Sequence, residues 1–367
     1  MWLGRGSPAS ALLVIACWQP TTVIRRPIAS GPQGVGCGVA ASCGDVGSNV
    51  SITYLGISGL LIEYGGHVLL TDPFISNPVA TRGPGVFKWL LKGPRVEADS
   101  AMIEQMLPSL ADRASVILIG HGHYDHLMDV PYIATHRAKF ALIVGGPSVH
   151  HMLVGDPALR TSRERLVTIP PALAGDTSRV GEWFYAPDSA FRFMALIAGH
   201  APIVKFGNWG FRFADSRVFA DRDSLPHFAS DWKLGEPYAY LIDVLSASTH
   251  TTVFRIYFQD APSEPPLGFP TATLLADRSV DLAVLCAATS SYVDAAPDSL
   301  LRVLKPAEVM VTHWESFFRS QRRAPALSHV TDLGQFVRAM RHALPAGSGW
   351  AMPLPHQTIR FRTTSRP

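Results

Sequence analysis

An α/β fold is predicted for this chain of 367 residues, and three observations support it. Short apolar runs rich in β-branched residues, such as Val116–Ile119, are typical of buried strands. Segments with helical periodicity alternate with these runs, and the clearest of them extends from Thr331 to Leu344. Several strand-like runs end in histidine or aspartate. The sequence therefore predicts a sheet flanked by helices, with polar side chains gathered at strand ends.

The first strands are predicted to form hairpins, starting near Asn49. Gly65-Gly66 favours a tight two-residue turn between the second and third strands. Asp72 ends the third strand, and its carboxylate could either orient a metal-bound imidazole or cap the following turn. The predicted strands are Ile52–Leu55, Leu60–Tyr64 and His67–Asp72.

The rest of the chain continues the alternation of strands and helices. Further strands are predicted at Val116–Ile119, Phe193–Ala198, Tyr238–Val244, Thr252–Phe258, Asp281–Ala287 and Val309–Thr312. Helices are predicted at Ser100–Leu110, Asp298–Leu304 and Thr331–Leu344.

Composition indicates a globular protein with a sizeable core, because 47% of the residues are hydrophobic and 17% are charged. The formal net charge of +3 is small for this length, and the sequence has no dense stripe of lysine and arginine. Nucleic acid is therefore not expected as a partner. Fourteen histidines direct attention to metal binding instead.

The N-terminus has features of a targeting segment. Arg5 precedes the apolar run Ala11–Ala16, which is too short to span a bilayer and ends at Cys17. The run resembles a bacterial lipoprotein signal, which implies a lipidated Cys17, membrane attachment and a periplasmic location. We expect residues 1–48 to be this segment and a flexible tether, and residues 49–367 to be the folded domain. If the segment is only a tail, the location is cytoplasmic.

The cysteines do not suggest a metal site. Cys37 and Cys43 lie in the tether and could pair in an oxidising compartment, whereas Cys286 follows an apolar run and is predicted to be a buried thiol. No pair has zinc-finger spacing. Any metal ligands must therefore be histidines and carboxylates.

Four potential metal ligands lie within six residues directly after the strand Val116–Ile119. His121 and His123 are two positions apart, so in an extended segment they point the same way and can bind one metal. The following turn redirects Asp125 and His126 towards a second. This spacing predicts two adjacent metals.

More candidate ligands follow later strands, and with them the chain resembles the metallo-β-lactamase-fold hydrolases. Their signature is His-x-His-x-Asp-His, followed at long intervals by a histidine, an aspartate and a histidine. The matching residues, in the family's order, are His121, His123, Asp125, His126, His200, Asp260 and His313. Tyr54–Glu63, Thr71-Asp72-Pro73 and Thr312-His313-Trp314 are most similar to the branch of N-acylphosphatidylethanolamine-hydrolysing phospholipase D and L-ascorbate-6-phosphate lactonase, although Ile57 departs from it.

The resemblance implies a four-layer αββα sandwich with metals along one edge. It assigns His121, His123 and His200 to one metal. It assigns Asp125, His126 and His313 to the other, with Asp260 bridging. Zinc suits such ligands, and manganese or iron also fits. Two ions would activate a bridging hydroxide, which Asp125 would steer.

The predicted function is a dinuclear metal-dependent hydrolase acting on a phosphodiester or phospholipid-like substrate. A lactonase or other carboxylic-ester hydrolase is the alternative within the same site, and a non-catalytic, metal-stabilised envelope protein is the alternative outside it. His227 is the candidate substrate contact. Phe87–Leu91 suggests a pocket wall, a lid, a membrane-facing patch or a packed loop, and Trp209–Trp232 suggests either substrate contact or a satellite core.

Overall fold

A computed structural model of the chain describes residues 28–30, 36–37, 49–78, 93–202, 204–206, 209–211 and 214–363. The strands are β1 (Ile28–Ser30), β2 (Gly36–Cys37), β3 (Asn49–Gly56), β4 (Gly59–Tyr64), β5 (His67–Thr71), β6 (Ala114–Leu118), β7 (Leu142–Gly145), β8 (Leu166–Thr168), β9 (Phe184–Tyr185), β10 (Phe191–Ile197), β11 (Val204–Phe206), β12 (Trp209–Phe211), β13 (Tyr238–Leu245), β14 (Thr252–Gln259), β15 (Leu282–Cys286), β16 (Glu308–Thr312), β17 (Gly349–Met352) and β18 (Thr358–Arg362).

The helices are α1 (Ser100–Met106), α2 (Tyr124–Leu127), α3 (Val130–Tyr132), α4 (Pro147–Leu153), α5 (Pro157–Thr161), α6 (Ala272–Asp277), α7 (Asp298–Leu304) and α8 (Leu333–Ala343). Short 3₁₀ or π turns cover Ser109–Arg113, Ile133–Arg137, Arg163–Arg165, Ala229–Asp231 and Ser290–Tyr292. None of the described helices is long and apolar enough to cross a membrane.

The described strands form two eight-stranded sheets and one two-stranded pair, β11–β12. The first sheet has the order β2-β18-β3-β4-β5-β6-β7-β8, and the second has the order β1-β17-β16-β15-β14-β13-β10-β9. In the first sheet, β5 to β8 are parallel, whereas β3, β4 and β5 form antiparallel hairpins. In the second, β14 to β17 are parallel, and β13 is antiparallel to both its neighbours.

Three apolar clusters separate four layers of structure. The middle cluster joins the inner faces of the sheets and includes Leu118 of β6 and Tyr240 of β13. One outer cluster packs the first sheet against α1 to α5, and the other packs the second sheet against α6 to α8. Both sheets are thus covered on both faces. The described residues form a four-layer αββα sandwich, the architecture that was predicted.

The sequence pattern explains these layers. Along β6, Val116 and Leu118 face the middle cluster, whereas Ile117 faces the outer one, because successive side chains of a strand point to opposite faces. All three side chains are fully buried. A strand covered on both faces needs a continuous apolar run rather than an alternating one. This run also brings the ligand cluster to the sandwich edge.

Most predicted elements are observed with shifts of a few residues at their ends. The predicted helix Ser100–Leu110 ends at Met106, since Pro108 interrupts it, and a 3₁₀ turn follows. Gly65 and Gly66 have φ angles of 58° and 88°, so both adopt the left-handed region that the predicted tight turn requires. Cys286 is a buried thiol, as expected.

The predicted tether contributes two short strands. β1 pairs with β17 at the edge of one sheet, and β2 pairs with β18 at the edge of the other. A sequence without hydrophobic periodicity can join a sheet edge through backbone hydrogen bonds alone, and for that reason it gave no strand signal. Cys17, Cys43 and Phe87–Leu91 lie outside the described residues.

Glu308 provides a test of this packing. Its carboxyl lies against Gly349 of the neighbouring strand, and burial raises its pKa from 4.5 to about 7. Between these two pH values the folded state binds more protons than the unfolded state, so stability should fall as pH rises. Glu308→Gln should reduce this fall, measured as the free energy of unfolding in urea at several pH values. Glu97→Gln on the surface should follow the wild type, and a Glu308→Gln profile parallel to the wild type would contradict the assignment.

Candidate metal centre

The candidate ligands meet because their strands run in matching directions. β10 and β14 run in the same direction because both are antiparallel to β13. β16 also runs in that direction, because β14, β15 and β16 are parallel. β10, β14 and β16 therefore end on the same side of their sheet. His200, Asp260 and His313 follow these ends. β5 and β6 are also parallel, and they deliver Asp72 and the segment His121–His126.

Two glycines allow the ligand loop to approach its neighbours closely. A Cβ on Gly120 would overlap the Asp260 carboxylate, and a Cβ on Gly122 would overlap the Lys233 carbonyl. Backbone hydrogen bonds also fix the loop, because Tyr238 N donates to the Gly120 carbonyl at 2.8 Å. Glycine is therefore required at position 120, where the two sheets bring ligands together.

The structure brings all seven predicted ligands into one cluster. It contains three groups of residues whose ligand atoms lie within 4.8 Å of one another. These groups are His121, His123 and His200; His121, His126 and Asp260; and Asp125, His126 and His313. The first and third groups have the same membership as the two metal sets implied by the resemblance.

Asp260 lies between the two halves of this cluster. Its Oδ2 is 2.6 Å from His121 Nδ1 and 3.6 Å from His126 Nδ1. Across the second half, Asp125 Oδ2 is 3.4 Å from His313 Nε2 and 3.8 Å from His126 Nε2. Since Asp260 approaches rings from both groups, its position suits a bridging carboxylate.

The ring nitrogens fit a bound cation. His123 Nε2 and His313 Nδ1 are buried, and neither has a hydrogen-bond partner among the described residues. His121 Nε2 and His123 Nδ1 lie 3.0 Å apart, a distance at which they can share one proton or face the same cation. Buried polar atoms are normally paired, so unpaired and converging nitrogens are better explained by a metal than by the protein's own hydrogen bonds.

The electrostatics also favour a cation. Burial, together with neighbouring imidazoles, lowers the pKa of His121 and His123 well below the usual value, so both rings are neutral and can offer a lone pair. Burial raises the pKa of Asp125, but His126 and His313 outweigh it, and the net shift is downward. For Asp72, burial and the nearby Asp260 raise the pKa to about 7. His126 differs, because burial lowers its pKa but Asp125, Asp72 and Asp260 outweigh this and raise it to about 9. The carboxylates thus attract positive charge, which a divalent cation held by the neutral His121 and His123 would also supply.

Asp72 lies behind the cluster and makes two hydrogen bonds to it. Its Oδ2 accepts a hydrogen bond from His126 Nδ1 at 3.1 Å, and its Oδ1 accepts one from Gly120 N at 2.8 Å. The first contact fixes the His126 ring so that Nε2 faces Asp125. Asp72 is fully buried and has a φ of 34°, a conformation that aspartate and asparagine tolerate better than most residues.

Sequence reasoning missed the group that holds His313. The Tyr54 hydroxyl contacts both carboxylate oxygens of Glu315, at 2.7 and 2.6 Å, and it accepts a hydrogen bond from His313 N at 3.1 Å. Ile57 N donates to Glu315 at 2.8 Å, and His313 N also donates to the Ile57 carbonyl at 2.7 Å. Ile57 and His313 have φ angles of 56° and 51°. The positive φ at Ile57 reflects a turn that positions a ligand.

His227 and the aromatic insertion are placed less favourably. The His227 side chain is exposed, and its carbonyl accepts a hydrogen bond from Val96 N. No described contact links this residue to the ligand cluster, and its substrate contact stays a prediction. Within the described part of Trp209–Trp232, Trp232 is buried in the core, whereas Phe219 is 83% exposed. Trp232 is thus a packing residue, which agrees with the interpretation of this stretch as a satellite core rather than a substrate contact.

Asp72→Asn tests the role of the supporting carboxylate. Asparagine has nearly the same shape as aspartate and tolerates the positive φ, but it lacks the negative charge that holds His126. We expect metal affinity to fall by roughly 10- to 100-fold, as for other partners of metal-bound histidines. Competition with a chelator measures this. Asp188→Asn is the control, because Asp188 pairs with the more exposed His67 at the same distance of 3.1 Å and should leave affinity unchanged. Equal affinities in both variants would contradict the role.

Comparison with known proteins completes this description. No family model matches the sequence. The chain is 26% identical over 269 residues to a UPF0173 metal-dependent hydrolase of Roseobacter denitrificans, covering 68% of this chain and 94% of that protein.

Two solved structures are also similar. Igni18, a metallo hydrolase of Ignicoccus hospitalis, has a TM-score of 0.44 and 15% identity, with 86% of this chain and 100% of that chain covered. A Thermotoga maritima protein assigned to the metallo-β-lactamase superfamily has a TM-score of 0.32 and 9% identity, with 79% and 84% covered. The chain is therefore similar in sequence to a metal-dependent hydrolase, and its seven candidate ligands lie together at one edge of a four-layer fold.

Proposed function

We propose that this protein is a dinuclear hydrolase that acts on a phosphodiester or phospholipid-like substrate. The observation that supports two ions is the division of the cluster into two groups with Asp260 between them. One ion would bind His121, His123 and His200. The other would bind Asp125, His126 and His313, and Asp260 would contact both.

Two such ions would polarise a phosphoryl or carbonyl oxygen and make water nucleophilic at neutral pH. Residues of the protein would position the water and the metal ligands. Asp125 orients the attacking water by accepting its hydrogen bond, and Asp72 keeps the His126 ring in place. Six of the seven donors are buried, the exception being the half-buried His200, so the charges act where water screens them weakly.

The choice of substrate rests on two features. The sequence resembles a branch that includes a phospholipase, and arginines 319, 322 and 323 closely follow the ligand His313. Their charge favours an anionic substrate. A lactone or another carboxylic ester is the alternative at the same centre, because the same ions would also activate a carbonyl group. Zinc is the proposed metal, and manganese or iron is compatible with the same donors.

An assay of bis(p-nitrophenyl) phosphate and a lactone panel tests the function. We expect chelator-sensitive turnover, with the phosphodiester preferred. Asp125→Ala and Asp260→Ala should each lower turnover by at least about 100-fold, since they remove direct ligands and even supporting residues cost 10- to 100-fold. Asp221→Ala removes a surface aspartate paired with His151 and should leave turnover unchanged. Turnover that resists the chelator, or that persists in both ligand variants while the protein is folded, would disprove the proposal.

We also propose that Cys17 is lipidated and attaches the domain to a bacterial membrane in the periplasm. Mass measurement of the protein recovered from membranes should show a mature N-terminus at Cys17 with added acyl chains. Cys17→Ser should abolish the modification and release the protein into the soluble fraction. An unprocessed N-terminus in the wild type would disprove the anchor without affecting the proposed reaction.

A further inference from the structure

Tyr124 is a buried residue whose hydroxyl has no hydrogen-bond partner in the described part of the chain. It lies between the ligands His123 and Asp125 in sequence and is 7% exposed. Its hydroxyl is buried and makes no hydrogen bond among the described residues. A phenylalanine would fill the same space without leaving a buried hydroxyl unpaired. An unpaired buried hydroxyl therefore calls for an explanation, and a bound molecule is one.

Two phenylalanines line the same space. The Tyr124 ring stacks on Phe318 with centroids 5.8 Å apart and meets Phe317 edge-on at 6.2 Å. Phe317 in turn contacts the ring of His313 at 5.6 Å. Both phenylalanines are only partly buried. The three aromatic side chains thus form a partly open apolar surface beside the group of Asp125, His126 and His313.

The loop that carries Phe317 and Phe318 is held at its base and at its tip. This aromatic loop, Ser316–Ala326, is closed by a hydrogen bond from Ser316 N to the Ala326 carbonyl at 2.9 Å. Gln321 Nε2 donates to the Leu55 carbonyl at 2.9 Å, and its side-chain oxygen lies 2.7 Å from His356 Nε2. Because the loop is anchored to the sandwich, its aromatic rings are positioned before any ligand binds.

The charge of the aromatic loop indicates which ligands suit it. The loop contains three arginines and no acidic residue. Arg322 and Arg323 are exposed, and Arg319 is half-buried. Arg319 Nε donates to the Ala324 carbonyl and Arg322 Nε donates to Gln105, so the positive charge belongs to the loop as a whole. An apolar surface on a positively charged loop favours a molecule that combines an apolar group with an anionic group.

We infer that Tyr124, Phe317 and Phe318 form a substrate pocket for an anionic molecule with an apolar substituent. The two phenylalanines contact the apolar substituent. The Tyr124 hydroxyl donates a hydrogen bond to an oxygen of the anionic group, which lies towards Asp125 and His313. This inference rests on the proposed function and specifies the substrate class, an amphiphilic phosphoryl compound rather than a small polar lactone.

Binding of two phosphonates to the metal-loaded protein tests the pocket, with isothermal titration calorimetry as the readout. Phenylphosphonate and methylphosphonate share the anionic group and differ in the apolar one. The wild type should bind phenylphosphonate about tenfold more tightly, the size expected for contacts between aromatic rings. Phe317→Ala and Phe318→Ala should each reduce this preference to about threefold or less. Phe140→Ala is the control, because Phe140 is an exposed phenylalanine that should not affect binding.

Tyr124→Phe separates the hydroxyl from the ring. It should weaken both phosphonates equally, by about fivefold, which corresponds to one net hydrogen bond. Its melting temperature and metal content should not fall, since the hydroxyl makes no hydrogen bond to any residue that the structure describes. Tyr132→Phe, which removes a surface hydroxyl bound to Glu104, should bind as the wild type does.

Several results would overturn the inference. Equal or absent binding of the two phosphonates by the wild type would do so, as would a full phenyl preference in both alanine variants. A destabilised Tyr124→Phe with unchanged binding would assign the hydroxyl to the fold instead. A phenyl preference that depends on Phe317 and Phe318, without any chelator-sensitive hydrolysis, would retain the pocket and reject the proposed reaction.

Discussion

The contact between His121 Nδ1 and Asp260 Oδ2, at 2.6 Å, is the interaction on which the rest of the site depends. It joins the end of β6 in one sheet to the end of β14 in the other, and both side chains are almost fully buried. A buried carboxylate is costly unless it is paired. The contact explains why Gly120 cannot have a side chain, and it couples the packing of the two sheets to the chemistry at their edge.

Because the candidate ligands come from both sheets, binding of a metal would be linked to folding in this protein. Asp72 holds His126 from the first sheet, and the Tyr54–Glu315 pair holds His313 across the two sheets. A cation that binds only the assembled cluster stabilises the folded state over the unfolded one. The supporting residues are therefore structural and functional at once: they restrict the ligand rings to positions in which the remaining ring nitrogens converge.

Local features of the chain could be predicted from sequence because their physical basis is local. The continuous apolar run of β6 indicated a strand covered on both faces, and the spacing of His121 and His123 indicated ligands on one side of an extended segment. His200, Asp260 and His313 were identified by their positions after strands and by the family's order of ligands. The pairing of Tyr54 with Glu315 has no comparable signal, because it requires that residues far apart in sequence meet after the sheets have assembled.

The same distinction applies to substrate contacts. The sequence directed attention to Phe87–Leu91, to Trp209–Trp232 and to His227, because long irregular stretches with aromatic residues are conspicuous. Those contacts stay predictions. The structure places Phe317 and Phe318 against Tyr124, and this contact had no signal in the sequence because it joins segments that are far apart along the chain.

This placement makes the two halves of the cluster unequal. The half with His200 is less buried, whereas the half with Asp125, His126 and His313 is buried and borders the aromatic side chains. The metal ligands themselves are suited to many hydrolytic reactions, so selectivity must come from groups that touch the rest of the substrate. We infer that in this protein those groups lie beside Asp125, His126 and His313, where the Tyr124 hydroxyl and the rings of Phe317 and Phe318 lie next to one another and the anchored loop carries three arginines.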